Sequence, residues 1–219
     1  MKTTRRLLTG GLALFLATAV LTQAAEGWTE YRARPGAGSK VIIDGTANII
    51  HTQWKVQGLI IGGSLEVGPN FPTDPASAKP GKVDAKSAVF IPVRSLKSIE
   101  DDGRPYMASM DNIMYEHLKM EEHKNIDFVL NSLTVKEVKG GNTCVFDAEG
   151  ELKVAGVTKK ITMPVEMTAP EENRLKFSGK VDVKMTDFGI SPPAPALAGG
   201  AIKTGDEVKL TFEWVVVKR

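Results

Sequence analysis

The stretch TCVFDAEGELKVAGVTKKITMPVEM, residues 143–167, alternates apolar and polar side chains in two runs that Gly156 separates. The apolar positions that share one parity in each run are Cys144, Phe146, Ala148, Leu152 and Val154, followed by Ile161, Met163, Val165 and Met167. A period of two predicts β-strands, each with one face buried. We therefore expect a hairpin whose connection is Gly156-Val157-Thr158.

The same alternation recurs on both sides of this hairpin and predicts about eight strands in all. The alternating apolar positions are Val41, Ile43, Ala47 and Ile49; Trp54, Val56 and Ile60; Leu65 and Val67; Val89, Ile91 and Val93; Ile126, Phe128 and Leu130; Leu175, Phe177, Val181, Val183 and Met185; and Val208, Leu210, Phe212, Trp214 and Val216. The parity changes at Gly62-Gly63, which predicts a bulge or a sharp bend there.

One segment, residues 106–121, departs from the strand pattern. Its apolar residues at helical spacing are Met110, Ile113, Met114 and Leu118. They predict one short helix, with Ser109 or Asp111 as its N-cap. The Pro-rich segments 69–80 and 192–200 have no periodicity and are predicted to be loops.

Eight strands that each carry one apolar face must bury those faces against one another. Closing the sheet on itself achieves this and removes exposed strand edges. The predicted fold class is therefore all-β, an eight-stranded antiparallel barrel with one short helix inserted, and a β-sandwich is the alternative. A barrel of eight strands either fills its interior with side chains or holds one small ligand.

The N-terminus carries the pattern of a signal peptide. Basic residues precede an apolar run at 7–20, and small residues follow at the cleavage positions. We predict a signal peptide at 1–24, one domain at 25–219, and a periplasmic or secreted protein. The pattern leaves open whether the general secretory route or the twin-arginine route exports it.

Charge and cysteine content exclude several classes of protein. Removal of the leader takes away Lys2, Arg5 and Arg6 and lowers the formal charge from +2 to −1, a balance that argues against nucleic acid as a partner. Cys144 is the single cysteine, so no internal disulfide can form. No later segment is long and apolar enough to predict a transmembrane helix. The oligomeric state is left open.

Four stretches of the chain resemble the YceI-like family. They are GTANIIHTQWKVQGLIIGGSLEV at 45–67, VRSLKSIEDDGRPYMASMDNIMYEHLKMEEHKNIDFVL at 93–130, GELKVAGVTKKITMPVEM at 150–167, and KMTDFGISPPAPALAGGAIKTGDEVKLTFEWVV at 184–216. The resemblance implies an exported, lipocalin-like barrel that binds a polyisoprenoid, a quinone or a fatty-acyl lipid. It also implies that Asp187-Phe188-Gly189 ends a barrel strand, and the other motifs of a protein kinase are missing.

The alternation predicts which side chains point into the barrel and could bind such a ligand. They are Trp54, Ile91, Phe128, Phe146, Met163, Val165, Phe177, Phe212 and Trp214. An apolar tail needs no directional chemistry, because removing its methylene groups from water supplies the affinity. For each residue taken singly, packing in a solid core is the alternative role.

Catalysis, metal binding and cofactor binding are not predicted. His117 and His123 are six residues apart, which does not place two ligands on one helical face. Cys144 is predicted to be an inert buried thiol, with contact to a ligand as the alternative. The alternative function is a solid-cored barrel that binds a protein partner through the loops at 69–80 and 192–200.

Overall fold

The computed structural model describes residues 27–48, 52–194 and 202–219, and the predicted signal peptide lies outside them. The strands are β1 Thr29–Ala33, β2 Lys40–Ala47, β3 Gln53–Gly58, β4 Gly62–Val67, β5 Gly81–Val83, β6 Ala85–Pro92, β7 Leu96–Ile99, β8 Asn125–Lys139, β9 Thr143–Val154, β10 Val157–Glu171, β11 Arg174–Lys184 and β12 Thr204–Lys218. One α-helix, α1, spans Ala108–His117.

Eight of these strands form a closed antiparallel ring. Their order is β1, β4, β6, β8, β9, β10, β11 and β12, and β12 pairs back with β1 through Tyr31 opposite Lys218. This arrangement confirms the predicted all-β barrel with a single short helix. The inward faces supply one continuous apolar core, whose fully buried members include Val135, Phe146 and Val216.

Three further strands lengthen the barrel at one end. β2 pairs with the first half of β12, β3 pairs with β2, and β7 pairs with β3. Helix α1 packs against β7, and His123, just beyond α1, lies against Gly156 in the β9–β10 turn. The helix therefore packs on β7, and the segment that follows it reaches the β9–β10 turn.

The number of strands in the ring was predicted, but not which strands they are. β1 was missed because only Tyr31 of its five residues is buried, so no alternation is visible. The predicted single run from Trp54 to Val67 is two strands, separated by Leu59–Ile61. Gly62-Gly63 opens the second strand, and Gly63 has a φ of 127°.

The β9–β10 turn and the helix cap also differ from the predictions. The turn is Ala155-Gly156, with φ values of 49° and 86°, and Val157 already pairs with Val154. Such positive φ values at both positions suit a two-residue hairpin turn. The N-cap is Met107 without a side-chain hydrogen bond, so the prediction of Ser109 or Asp111 was wrong.

Asp111 anchors the helix to β7 instead of capping it. Its carboxylate accepts hydrogen bonds of 2.7 Å from both the backbone N–H and the hydroxyl of Ser98, and Lys97 Nζ lies 3.2 Å away. Burial disfavours ionisation, but these donors outweigh it and hold the pKa of the Asp111 carboxyl below its ordinary value.

We expect Asp111→Asn to be less stable than the wild type at pH 7 by about 1–3 kcal/mol, because an amide cannot accept from all three donors. Since the folded pKa is depressed, this stability is present above the unfolded pKa of about 3.9 and is lost as the pH falls through the folded value. Urea unfolding at pH 7 and near pH 3 measures the difference, with the exposed Asp182→Asn as control. A difference independent of pH would contradict the assignment.

Candidate ligand-binding site

The barrel encloses two adjoining cavities. The inner chamber, inside the eight-stranded ring, has a volume of about 130 Å³. The outer chamber, under the strand extension and α1, has a volume of about 210 Å³. Both walls include Ile126, Leu152 and Leu210, so the chambers meet at these three side chains.

The inner chamber has an almost wholly apolar wall, to which most of the predicted ligand-binding residues contribute. Those that line it are Ile91, Phe128, Met163, Val165, Phe177, Phe212 and Trp214. The rings of Phe177 and Trp214 lie 5.8 Å apart and are tilted by 38°. Trp214 is buried, and its indole N–H has no hydrogen-bond partner within the described ranges.

The other two predicted residues lie elsewhere. Trp54 lines the outer chamber, where its ring covers Gly45 and its Nε1 donates to the Thr46 carbonyl at 3.1 Å. Phe146 is fully buried, lines neither chamber, and stacks on Phe71 at 5.9 Å between centroids. Phe71 belongs to the predicted loop at 69–80, which therefore fills the barrel at one end.

Several wall residues were missed from the sequence. The additional inner-chamber residues include Val41, Ile61, Val89, Leu130, Leu133, Ile161, Val181 and Leu210. Most of them lie two or four residues from a predicted ligand-binding residue on the same strand, so the alternation already indicated that they point inward. Ile61 was missed because it lies in the connection between β3 and β4, where periodicity carries no information.

The outer chamber has an apolar side and a polar side. Its apolar side includes Met110, Ile113 and Met114 of α1 and Leu118, which follows the helix, and these are the residues whose helical spacing predicted the helix. The polar side chains in its wall are Gln53, Lys55, Ser98, Glu100, Tyr106, His117 and Thr204. An amphiphile with an apolar tail and a polar head matches this division.

The Asp187-Phe188-Gly189 triplet closes one end of the outer chamber. β11 ends at Lys184, a 3₁₀ turn follows, and Gly189 has a φ of 68°. Phe188 is buried and contributes to the chamber wall. Asp206 accepts hydrogen bonds from the backbone and hydroxyl of Thr186, which fixes the turn. The triplet is thus the end of a strand, as the resemblance implied.

A comparison with protein families identifies the chain. The family model described as YceI-like domain matches residues 48–216, which includes most of the barrel. The chain belongs to the YceI-like family. No curated protein matches it at a significant level.

Solved structures share the YceI-like fold at low sequence identity. Burkholderia cenocepacia BcnA matches with a TM-score of 0.56 and 18% identity, over 81% of this chain and 95% of BcnA. A polyisoprenoid binding domain from Saccharophagus degradans, implicated in plant cell wall breakdown, matches with a TM-score of 0.58 and 10% identity, over 87% and 99% of the two chains. A Campylobacter jejuni YCEI protein matches with a TM-score of 0.50 and 20% identity, over 75% and 84%.

Among the described residues, no three His, Cys, Asp or Glu side chains come together as metal ligands would. Within the same residues, no helix has both the length and the apolar character needed to cross a bilayer.

Cys144 is fully buried on β9 and lines neither chamber. Burial raises the pKa of its thiol to about 11. We expect no reaction of the native protein with 5,5′-dithiobis(2-nitrobenzoate) at pH 8 over an hour, and one thiol per chain after unfolding in guanidinium. Rapid modification of the folded protein would show that the thiol is reachable, as contact with an incoming ligand would require.

Proposed function

We propose that this YceI-like protein binds a long-chain amphiphile, a polyisoprenoid, a quinone or a fatty-acyl lipid, inside its barrel. The observation that carries the proposal is the pair of adjoining apolar chambers that meet at Ile126, Leu152 and Leu210. The tail occupies the inner chamber, and the head lies at the polar side of the outer chamber. The fold shared with a polyisoprenoid binding domain supports this assignment.

Hydrophobic burial is sufficient for useful affinity. A micromolar dissociation constant corresponds to about −8 kcal/mol, and association costs roughly 4–15 kcal/mol in lost freedom. At about 0.8 kcal/mol for each buried CH₂, a tail of roughly 15 carbons supplies both at the low end of that cost, and roughly 29 carbons do so at the high end. Binding therefore needs no catalytic group, and we propose a binding protein rather than an enzyme.

The alternative function assumed a solid core and loops that bind a protein. The two chambers argue against a solid core. The loop at 69–80 places Phe71 on Phe146 inside the barrel, so part of it has a structural role. We therefore favour the amphiphile.

Export is the second part of the proposal. The basic, apolar and small-residue order of residues 1–24 supports cleavage and release outside the cytoplasm. Expression of the full chain in a Gram-negative host, followed by N-terminal sequencing of the periplasmic fraction, tests this. A mature chain starting at Ala25 is expected, and an uncleaved chain confined to the cytoplasm would overturn it.

Ligand occupancy is tested on the same exported protein. Native mass spectrometry should show a noncovalent mass that disappears on denaturation, and solvent extraction should recover a long-chain lipid. The stripped protein should then take up the apolar fluorophore N-phenyl-1-naphthylamine and release it when farnesol is added. A barrel that is always empty and takes up neither compound would refute the proposed function.

A further inference from the structure

The outer chamber carries little positive charge for a ligand to use. Among the described residues that line it, Lys55 is the only Lys or Arg, and Lys55 Nζ lies 2.6 Å from Asp101 Oδ1. The hydrogen bond to Asp101 raises the pKa of the Lys55 ammonium group, so Lys55 stays charged, and the adjacent carboxylate offsets its charge. Glu100 adds a carboxylate to the same wall. Because Asp101 offsets the charge of Lys55, an anionic head would meet the Glu100 carboxylate without an uncompensated Lys or Arg among the described wall residues.

The remaining polar groups suit an uncharged head. The wall also holds the Gln53 amide, the His117 imidazole and the Thr204 hydroxyl. Within the described parts of the chain, no hydrogen bond or ion pair engages these three side chains. Such groups can donate to a carbonyl oxygen, and they can both donate to and accept from a hydroxyl group.

Among the described residues, this wall has few of the usual elements of a phosphate site, because its one Lys or Arg side chain, Lys55, is paired with Asp101. Phosphates are bound by Arg or Lys side chains or by the N–H groups at a helix N-terminus. The first turn of α1 contains the Asp111 carboxylate, which disfavours a phosphate there, and Met110 of that turn presents an apolar side chain to the wall. Lys203 precedes Thr204 but is exposed and outside the wall.

We propose that the site selects amphiphiles with an uncharged hydroxyl or carbonyl head and discriminates against the diphosphate forms of the same chain. This inference rests on the proposed function, because it concerns the head of the ligand whose tail fills the chambers. Like charges held at short range in a partly desolvated site repel more strongly than in water.

The test compares farnesol with farnesyl diphosphate, two probes with the same tail. Each displaces N-phenyl-1-naphthylamine from the stripped protein in magnesium-free buffer at low salt. We expect farnesol to compete at a concentration at least tenfold lower than the diphosphate requires. Added salt should bring the two competing concentrations closer together, because it screens the repulsion between the diphosphate and the Glu100 carboxylate.

Two charge reversals assign the discrimination to the wall. Glu100→Lys should lower the ratio of the competing concentrations of farnesyl diphosphate and farnesol at least threefold more than Glu116→Lys does. Glu116→Lys makes the same change on the exposed side of α1. Glu100→Gln is the milder variant, and urea unfolding checks that each protein is folded. The wild-type comparison does not depend on any variant.

The outcomes separate the two proposals. If the diphosphate competes as well as farnesol or better, the head selectivity is wrong while the proposed function stands. If the ratio of the two competing concentrations is unchanged in both Glu100 variants, Glu100 is not the source of the head selectivity. If neither compound displaces the probe, the proposed function itself fails.

Discussion

Leu210→Trp is expected to weaken binding of farnesol at least tenfold, equivalent to about 1.4 kcal/mol or more. Leu210 lies on β12 at the junction of the two chambers, and it also pairs with Val181 and Ile43 across the sheet. An indole side chain placed there fills the junction, so the ligand tail can no longer extend from one chamber into the other. The loss arises from blocked volume, so it should appear with any long-chain ligand. Displacement of N-phenyl-1-naphthylamine measures it.

The matched control is Lys209→Trp on the same strand. Lys209 is exposed and faces outward, so the added indole leaves the interior unchanged. Its affinity for farnesol should stay within twofold of the wild type. If Leu210→Trp, shown to be folded by urea unfolding, binds as tightly as Lys209→Trp, the tail does not pass through the junction.

Gly63→Ala is expected to lower the free energy of unfolding by about 3 kcal/mol or more. Gly63 has a φ of 127°, which side-chain-bearing residues rarely adopt. A Cβ there would lie 2.2 Å from the Ala88 carbonyl oxygen and 2.9 Å from the Val89 Cα. Both atoms belong to the backbone of β6, so the clash can be relieved only by separating β4 from β6.

Gly81→Ala separates the backbone strain from the clash. Gly81 has a similar φ of 138°, but a Cβ there would meet nothing within 4 Å. Gly81→Ala should therefore lower the free energy of unfolding only by the cost of the backbone strain, roughly 1–3 kcal/mol. Urea unfolding at pH 7 compares the two variants. Equal losses would show that the close approach of β6 does not determine the conformation at Gly63.

The sequence predicted the barrel because its strands are long and half buried. Along β9 and β10, apolar and polar residues alternate through the Cys144–Met167 stretch, and the observed register follows that alternation. The pattern fails where burial is not periodic. β1 has only one buried residue. The break at 59–61 lies where the chain passes from β3 in the extension to β4 in the ring, and no local sequence pattern marks that passage.

The candidate site was predictable to a similar extent. Parity indicates which side chains point inward, and seven of the nine chosen residues line the inner chamber. Parity cannot distinguish a cavity wall from a filled core, which is why Phe146, stacked on Phe71, was included. The outer chamber forms under α1, which the hydrogen bonds from Ser98 to Asp111 anchor to β7. This anchoring cannot be read from the periodicity of the sequence.

The central claim is that an apolar tail occupies the interior of the barrel. The most direct measurement is an isotope-filtered NOE spectrum of protein labelled with ¹³C at Ile, Leu and Met methyl groups, with unlabelled farnesol bound. We predict contacts from farnesol to Ile161, Met163 and Leu210 in the chamber walls, and none to the exposed Leu59. Contacts to Leu59 with none to the three interior residues would contradict the account.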